Sequence, residues 1–479
     1  MLFNSVEFVV FFTAVFLLYF TTPHKWRWLL LLIASYIFYM SWKAEYILLI
    51  LLSTLIDYFA GIKMGQEPIK AKRKKFLYLS LISNLGILFS FKYFNFFSES
   101  IATLVQASGM DYSAPLFEVL LPVGISFYTF QTLSYSIDVY QGKISPEKHL
   151  GRFALFVSFF PQLVAGPIER SGNLLPQFRE EKYFDYARIV SGMRLAAWGL
   201  FKKVVIADRL AFFVNLIYND PQNFYGLSMV LATFFFAFQI YCDFSGYSDI
   251  AIGVARMMGF DLMKNFERPY FSRSIGEFWR RWHISLSTWF RDYVYIPLGG
   301  NRVVKWRWYY NLYMTFLISG LWHGANWTYV IWGALHGVYL IIENIGKAEM
   351  KKRNFQNPLP LPIKAGGQML LTFLLACFAW IFFRANSLSD ALMIISHMFT
   401  WVPGDIAWML SLEHRYDLLL SFLSIAILLV VNIMQEKGLG GNWILKQTTV
   451  VRWAIYLVLV SMILNLGEFD QQQFIYFQF

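Results

Sequence analysis

Apolar runs about as long as a bilayer is thick recur along this chain, and no other feature restricts its fold as strongly. A helix needs roughly 20 mostly apolar residues to cross the hydrocarbon core. Runs near that length occupy residues 6–20, 28–42, 46–62, 76–94, 120–139, 153–168, 229–258, 320–339, 368–383, 416–434 and 453–466, while 97–116 carries acidic residues and no Lys or Arg. Composition agrees: 57% of residues are hydrophobic and 15% charged, against about 25% charged in a soluble domain. Aromatic residues make up 20%, including 49 Phe, as suits helices whose rings pack in lipid and at its interfaces. The expected fold is an all-α polytopic membrane protein of roughly ten to twelve membrane elements.

A net charge of +11 would fit nucleic acid, but its distribution points to lipid. The basic residues gather in short loops between apolar runs, most clearly Lys70, Lys72, Arg73, Lys74 and Lys75. Such loops face the cytoplasm. Counting from them, Lys25 and Arg27 lie inside and the amino terminus outside. Residues 347–353 and the group Lys437, Lys446 and Arg452 mark further inner loops, leaving an acidic tail from Glu468 outside. Residues 1–7 carry no basic residue and no small-residue cleavage site follows, so the first run is expected to be a permanent span. Cys242 and Cys377 sit in apolar sequence, where a thiol is usually inert and implies no disulfide framework.

The middle third is interrupted. Pro122, Gly124, Pro161, Gly166, Pro167, Gly246 and Gly253 fall inside apolar runs. Irregular backbone at membrane depth survives only where protein or a water-filled cavity satisfies it, so this region is expected to wall a cavity through broken or kinked helices. Residues 184–219 are amphipathic, with Arg188, Arg194, Lys202, Lys203 and Arg209 among apolar neighbours, a pattern that fits a segment lying partly in the interface. Asp243 and Asp249 are expected to cap a helix or pair with an arginine. Residues 264–297, rich in Arg and Trp, are too polar to span simply and read as a re-entrant or interfacial element.

Three histidines stand at membrane depth: His283 in 278–297, then His323 and His336 in 320–339. Intramembrane ionisable groups are costly and normally face protein or a wet cavity, which makes each a functional candidate. On one ideal helix the 13-residue step from His323 to His336 leaves them roughly 140° apart, and Glu343 lies seven residues beyond His336. That spacing offers no metal site. A single imidazole can instead take and return a proton at neutral pH, worth about 10²–10⁴ in rate. No Gly-x-Ser-x-Gly elbow supplies a nucleophile. Chemistry that needs only a base is acyl transfer from a thioester to a hydroxyl, with a neighbouring donor for the oxyanion. Two other readings stay open: an imidazole that only bonds a backbone carbonyl between helices, and a proton relay in a transporter, although no internal repeat is visible. A scaffold of an export complex is a third class. Arg268, Arg273, Arg280, Arg281 and Arg291 are candidates to draw an anionic donor, or to grip lipid phosphates.

Five stretches give these residues a wider context: PVGISFYTFQTLSYSIDVY at 122–140, FFPQLVAGPIER at 159–170, FQIYCDFSGYSDIAIGVARMMGF at 238–260, RPYFSRSIGEFWRRWHISLSTWFRDYVYIPLGGNR at 268–302 and GLWHGANWTYVIWGALHG at 320–337. In this order and spacing the sequence resembles the membrane-bound O-acyltransferase family, in its bacterial branch of alginate, peptidoglycan and teichoic acid modifiers. The flanking thirds match only in hydropathy. The resemblance implies that His323 is the essential residue and His283 a second catalytic one. Trp322, Asn326 and His336 are expected to support them or face substrate. It also implies a ring of helices around a central funnel. The Gly-Leu-Trp-His-Gly-Ala-Asn-Trp form is similar to that of the alginate-type members, and this resemblance implies acetyl as the acyl group and an exported polysaccharide such as alginate as acceptor. It further implies acetyl-CoA or an acyl-carrier thioester as cytoplasmic donor, no bound cofactor or metal, and a multi-pass inner-membrane location. A periplasmic hydrolase-like protein would complete the transfer, with membrane lipid and no nucleic acid among its contacts. A single domain over 1–479 is expected, its motif-bearing core about 120–345 and its flanks 1–119 and 346–479.

Overall fold

The computed structural model describes residues 1–117, 121–163, 166–353, 360–440, 442–469 and 474–475. Helices account for all the regular structure among them. Six are long and apolar enough to cross a membrane: Ala44–Gln66, Lys70–Ala107, Gly226–Met258, Leu361–Arg384, Arg415–Glu436 and Thr449–Leu466. Shorter apolar helices occur at Val6–Thr21, Leu150–Leu163 and Leu388–Met398. Most of the acidic tail, and Val164 and Ala165 of the 159–170 motif, lie outside the described residues.

The described residues form two compact units. Met1–Arg194 with Ala251–Met263 make the first. Its helices Ile47–Gln66, Lys70–Leu88 and Ile125–Gln141 are held by a polar seam that the sequence did not advertise. Asp57 is fully buried, and its carboxylate accepts Asn84 Nδ2 at 2.9 Å and Ser136 Oγ at 3.3 Å. Ser53 Oγ and Thr132 Oγ1 donate to Asn84 Oδ1 at 2.6 and 3.2 Å. A buried carboxyl is tolerable only with such partners. Helix does not stop where the apolar run 76–94 ends. The helix continues from Lys70 to Ala107 and absorbs the irregularity as a single π-helical turn at Phe89–Tyr93. Near Pro122 the chain does break: Gly124 takes a left-handed φ of 75°, and a Cβ there would approach the Leu163 carbonyl to 2.9 Å.

Leu195–Ile250 with Lys264–Phe479 make the second unit. Two expectations fail here. Gly246 and Gly253 do not interrupt their helix, which runs unbroken over Gly226–Met258. Gly246 instead permits a close approach, since its Cβ would lie 2.7 Å from the Gly199 carbonyl and that of Gly199 2.5 Å from the Gly246 carbonyl. Small residues are favoured where membrane helices meet this closely. Asp243 and Asp249 pair with lysines, not with an arginine. Lys202 Nζ lies 2.7 Å from Asp249, and Lys203 Nζ lies 2.7 Å from both Asp208 and Asp243. Both lysines sit on a π-helical turn, Phe201–Ala207, and both are buried. Residues 201–209 of the amphipathic segment are therefore an internal ion-pair element.

Candidate active site

The run 320–339 is not one helix. Helix Lys305–His323 ends on the histidine, Gly324 is extended, and helix Trp327–Lys352 begins after Asn326. The stop has a local cause. Asn326 Oδ1 accepts the Thr328 N–H at 3.0 Å, an N-cap that competes with continued helix. A side chain at 324 would strike the Tyr329 ring at 2.1 Å. The two helices then close into a tight hairpin: a Cβ at Gly320 would meet the Tyr329 carbonyl at 2.2 Å, and one at Gly333 the Phe316 carbonyl at 2.3 Å. His323 and His336 therefore fail to share a helix face because a turn separates them, and the single-helix angle does not apply.

His323 sits at that turn, 3% exposed. Its ring centroid lies 5.0 Å from that of Trp322, 4.9 Å from Trp332 and 5.4 Å from Phe383. His283 is brought to it from a separate element, with ring centroids 6.5 Å apart. The short helices Ile275–Arg281 and Ile284–Phe290 flank His283. Its own backbone is left-handed, φ 42°, a conformation that costs on the order of 1–3 kcal/mol for a residue with a Cβ and persists where surroundings enforce it. The surroundings here are specific. Ile284 N donates to the Asn265 carbonyl at 2.8 Å, His283 Nδ1 lies 3.0 Å from Asn265 Oδ1, and Phe244 meets the imidazole edge-on at 4.6 Å.

His336 is more remote. Trp332 stands between it and His323, at 5.0 and 4.9 Å. His336 Nδ1 accepts the Trp279 indole N–H at 3.2 Å, and its Nε2 is buried with no hydrogen-bond partner among the described residues. Asn326 is spent on capping and on a 3.3 Å bond to the Asn386 carbonyl.

The five arginines divide. Arg268 Nε lies 2.6 Å and Arg281 Nη2 3.1 Å from Glu436, and Arg281 also pairs with Glu277 at 2.7 Å. Nearby, the Glu267 carboxyl is held below the usual range, chiefly by its bond with Lys264. Arg291 pairs with Asp292 at 2.8 Å. Arg273 and Arg280 are exposed and pair with no described carboxylate. Sequence reasoning missed Asn265 and Glu436. Only a three-dimensional contact marks Glu436, 153 residues beyond His283.

Six apolar spans and two ionisable rings enclosed by aromatic side chains define a polytopic membrane protein with a buried polar centre. The sequence profile of MBOAT, the membrane-bound O-acyltransferase family, matches residues 46–387. The chain belongs to that family and is an O-acyltransferase. It is 39% identical to the probable alginate O-acetylase AlgI of Pseudomonas putida, with 100% of both chains covered. It is 37% identical to the peptidoglycan O-acetyltransferase of Helicobacter pylori, over 78% of this chain and 73% of that one. It is 30% identical to the teichoic acid D-alanyltransferase of Bacillus subtilis, over 55% and 69%. Similarity to the Pseudomonas protein extends through the flanking thirds, which hydropathy alone had linked to the family.

Proposed function

We propose that this chain moves an acetyl group from a cytoplasmic thioester, acetyl-CoA or an acyl-carrier protein, through the membrane to an acceptor hydroxyl, for O-acetylation of an exported polysaccharide of which alginate is the leading candidate. One observation carries the chemistry: two buried imidazoles from separate elements, with ring centroids 6.5 Å apart. His323 takes the hydroxyl proton as the oxygen attacks the thioester carbonyl. The tetrahedral intermediate then collapses, the C–S bond breaks, and the imidazolium returns the proton to the departing sulfur. His283 is the second proton-handling group. The low-dielectric aromatic wall strengthens every charge interaction at the centre. Arg273 and Arg280, unpaired with carboxylates, are the arginines to which an anionic donor would bind. Arg268 and Arg281 are committed to Glu436. The likeness to proteins named as probable alginate O-acetylases supports alginate as acceptor; an inner-membrane location and a periplasmic partner that completes the transfer are further parts of this proposal.

His323→Ala should abolish polysaccharide acetylation at unchanged protein level in the membrane. Wild-type acetyl content would refute the assignment. The similarity to the Helicobacter protein gives peptidoglycan as the second acceptor, and measuring acetyl esters on both polymers separates the two. Proton flux into vesicles without any acyl donor would favour the transporter reading.

A further inference from the structure

Asn265 lies outside the motif stretches yet bonds the side chain of the second histidine. It is fully buried, and its Oδ1 faces three groups: His283 Nδ1 at 3.0 Å, Ser285 Oγ at 2.9 Å and the Ser285 backbone N at 3.4 Å. Its Nδ2 donates to Ser248 Oγ at 3.1 Å. A backbone N–H can only donate, so the atom facing it must be the amide oxygen. The network thereby fixes the amide orientation, which coordinates alone leave open. An oxygen at that position can only accept, so His283 Nδ1 carries the hydrogen. A neutral imidazole protonated at Nδ1 has its lone pair at Nε2.

We infer that Asn265 is a positioning residue for acyl transfer, holding His283 in the Nδ1–H tautomer so that Nε2 is its proton-accepting atom. This rests on the acyltransferase reading given above. Ser285 and Ser248 hold the amide from two further elements, and the enforced left-handed backbone at His283 keeps Nδ1 against it. The ring also meets Phe244 from helix Gly226–Met258, Phe266 from the segment before Ile275, and Trp322 and His323 from helix Lys305–His323. Of these groups His323 is the titratable one, and it is present in every variant below.

The test uses purified full-length protein in lipid nanodiscs, with thiol release from acetyl-CoA followed between about pH 5 and pH 9. Asn265→Ala should lower kcat by on the order of 10²-fold, with KM for acetyl-CoA changed less than about 3-fold. Asn265→Asp keeps both acceptor oxygens and adds a charge that favours the imidazolium. The acidic limb of its pH–rate profile should move up by about 1 pH unit or more. That shift is a signature no loss of packing produces, and the near-isosteric Asp carries the test if the Ala protein does not accumulate. An acidic limb unmoved in Asn265→Asp, or wild-type kcat in Asn265→Ala, overturns the inference. His283→Ala separates the two levels. If it is inactive while both Asn265 variants behave as wild type, the acyltransferase reading stands and the role of Asn265 fails; if it is fully active, the reading of His283 itself fails.

Discussion

Glu436 accepts both terminal nitrogens of Arg281, each at 3.1 Å, and Arg281 stands two residues before His283. With Arg268 on the same carboxylate, the end of helix Arg415–Glu436 clamps the segment that carries the second histidine.

That clamp makes Glu436→Ala a long-range variant. Networks of several charges matter where isolated surface pairs do not. Losing Glu436 should lower acyl transfer by about 10-fold through kcat, with KM for the donor little changed, because the backbone at His283 must otherwise hold its left-handed turn unaided. Steady-state kinetics of the purified variant checks this.

The two arginines outside the clamp should behave in the opposite way. Combining Arg273→Ala with Arg280→Ala removes exposed cations available to an anionic thioester. KM should rise about 10-fold with kcat retained. A binding titration with coenzyme A gives an independent reading of the same loss. If KM holds while the protein still folds, donor recognition lies elsewhere.

Lys203 is the partner of two buried carboxylates. Lys203→Met strands Asp208 and Asp243 in the interior, and removing one member of a buried ion pair typically costs about 3–5 kcal/mol. Membrane levels of this variant should fall sharply. Adding Asp208→Asn and Asp243→Asn together should restore much of the protein, since neutral amides no longer need the cation. Thermal unfolding in detergent measures both steps.

The hairpin that carries His323 depends on close backbone contact. Gly333→Val places a side chain where the Phe316 carbonyl already sits at 2.3 Å from a mere Cβ. Overpacking costs about 1–3 kcal/mol or more, so the variant should unfold at lower temperature. Gly346→Ala, on the same helix with open space around it, should be near neutral.

His336 is expected to stabilise the bundle and to take no part in the chemistry. Trp279→Phe removes its N–H donor at 3.2 Å, and a lost buried hydrogen bond costs about 1–3 kcal/mol. Stability should drop while acyl transfer per folded molecule changes less than about 3-fold. A loss of activity without loss of stability would move His336 into the reaction.

The membrane class and the helix-rich fold were legible in the sequence, and His283 and His323 stood out there as candidates. Bilayer thickness fixes how long an apolar run must be, and an imidazole in such a run is conspicuous because it is expensive. Periodicity could not reveal the break at Gly324. Gly-Ala-Asn is apolar enough to pass for helix, and only the Asn326 cap and the Tyr329 ring end it there. The glycines at 246 and 253 misled in the other direction, suggesting kinks in a helix that runs unbroken, where Gly246 serves helix contact.

What the residues by themselves determined is where the chain is apolar, where it is basic and which side chains can hold a proton. Which of those groups meet was decided only in three dimensions. His283 and His323 are 40 residues apart in sequence, and Asn265, Lys203 and Glu436 acquire their roles from partners on other elements. Local preference extends a few residues along a helix, whereas the cost of burying a charge or an amide is relieved by whichever partner packing brings within about 3 Å.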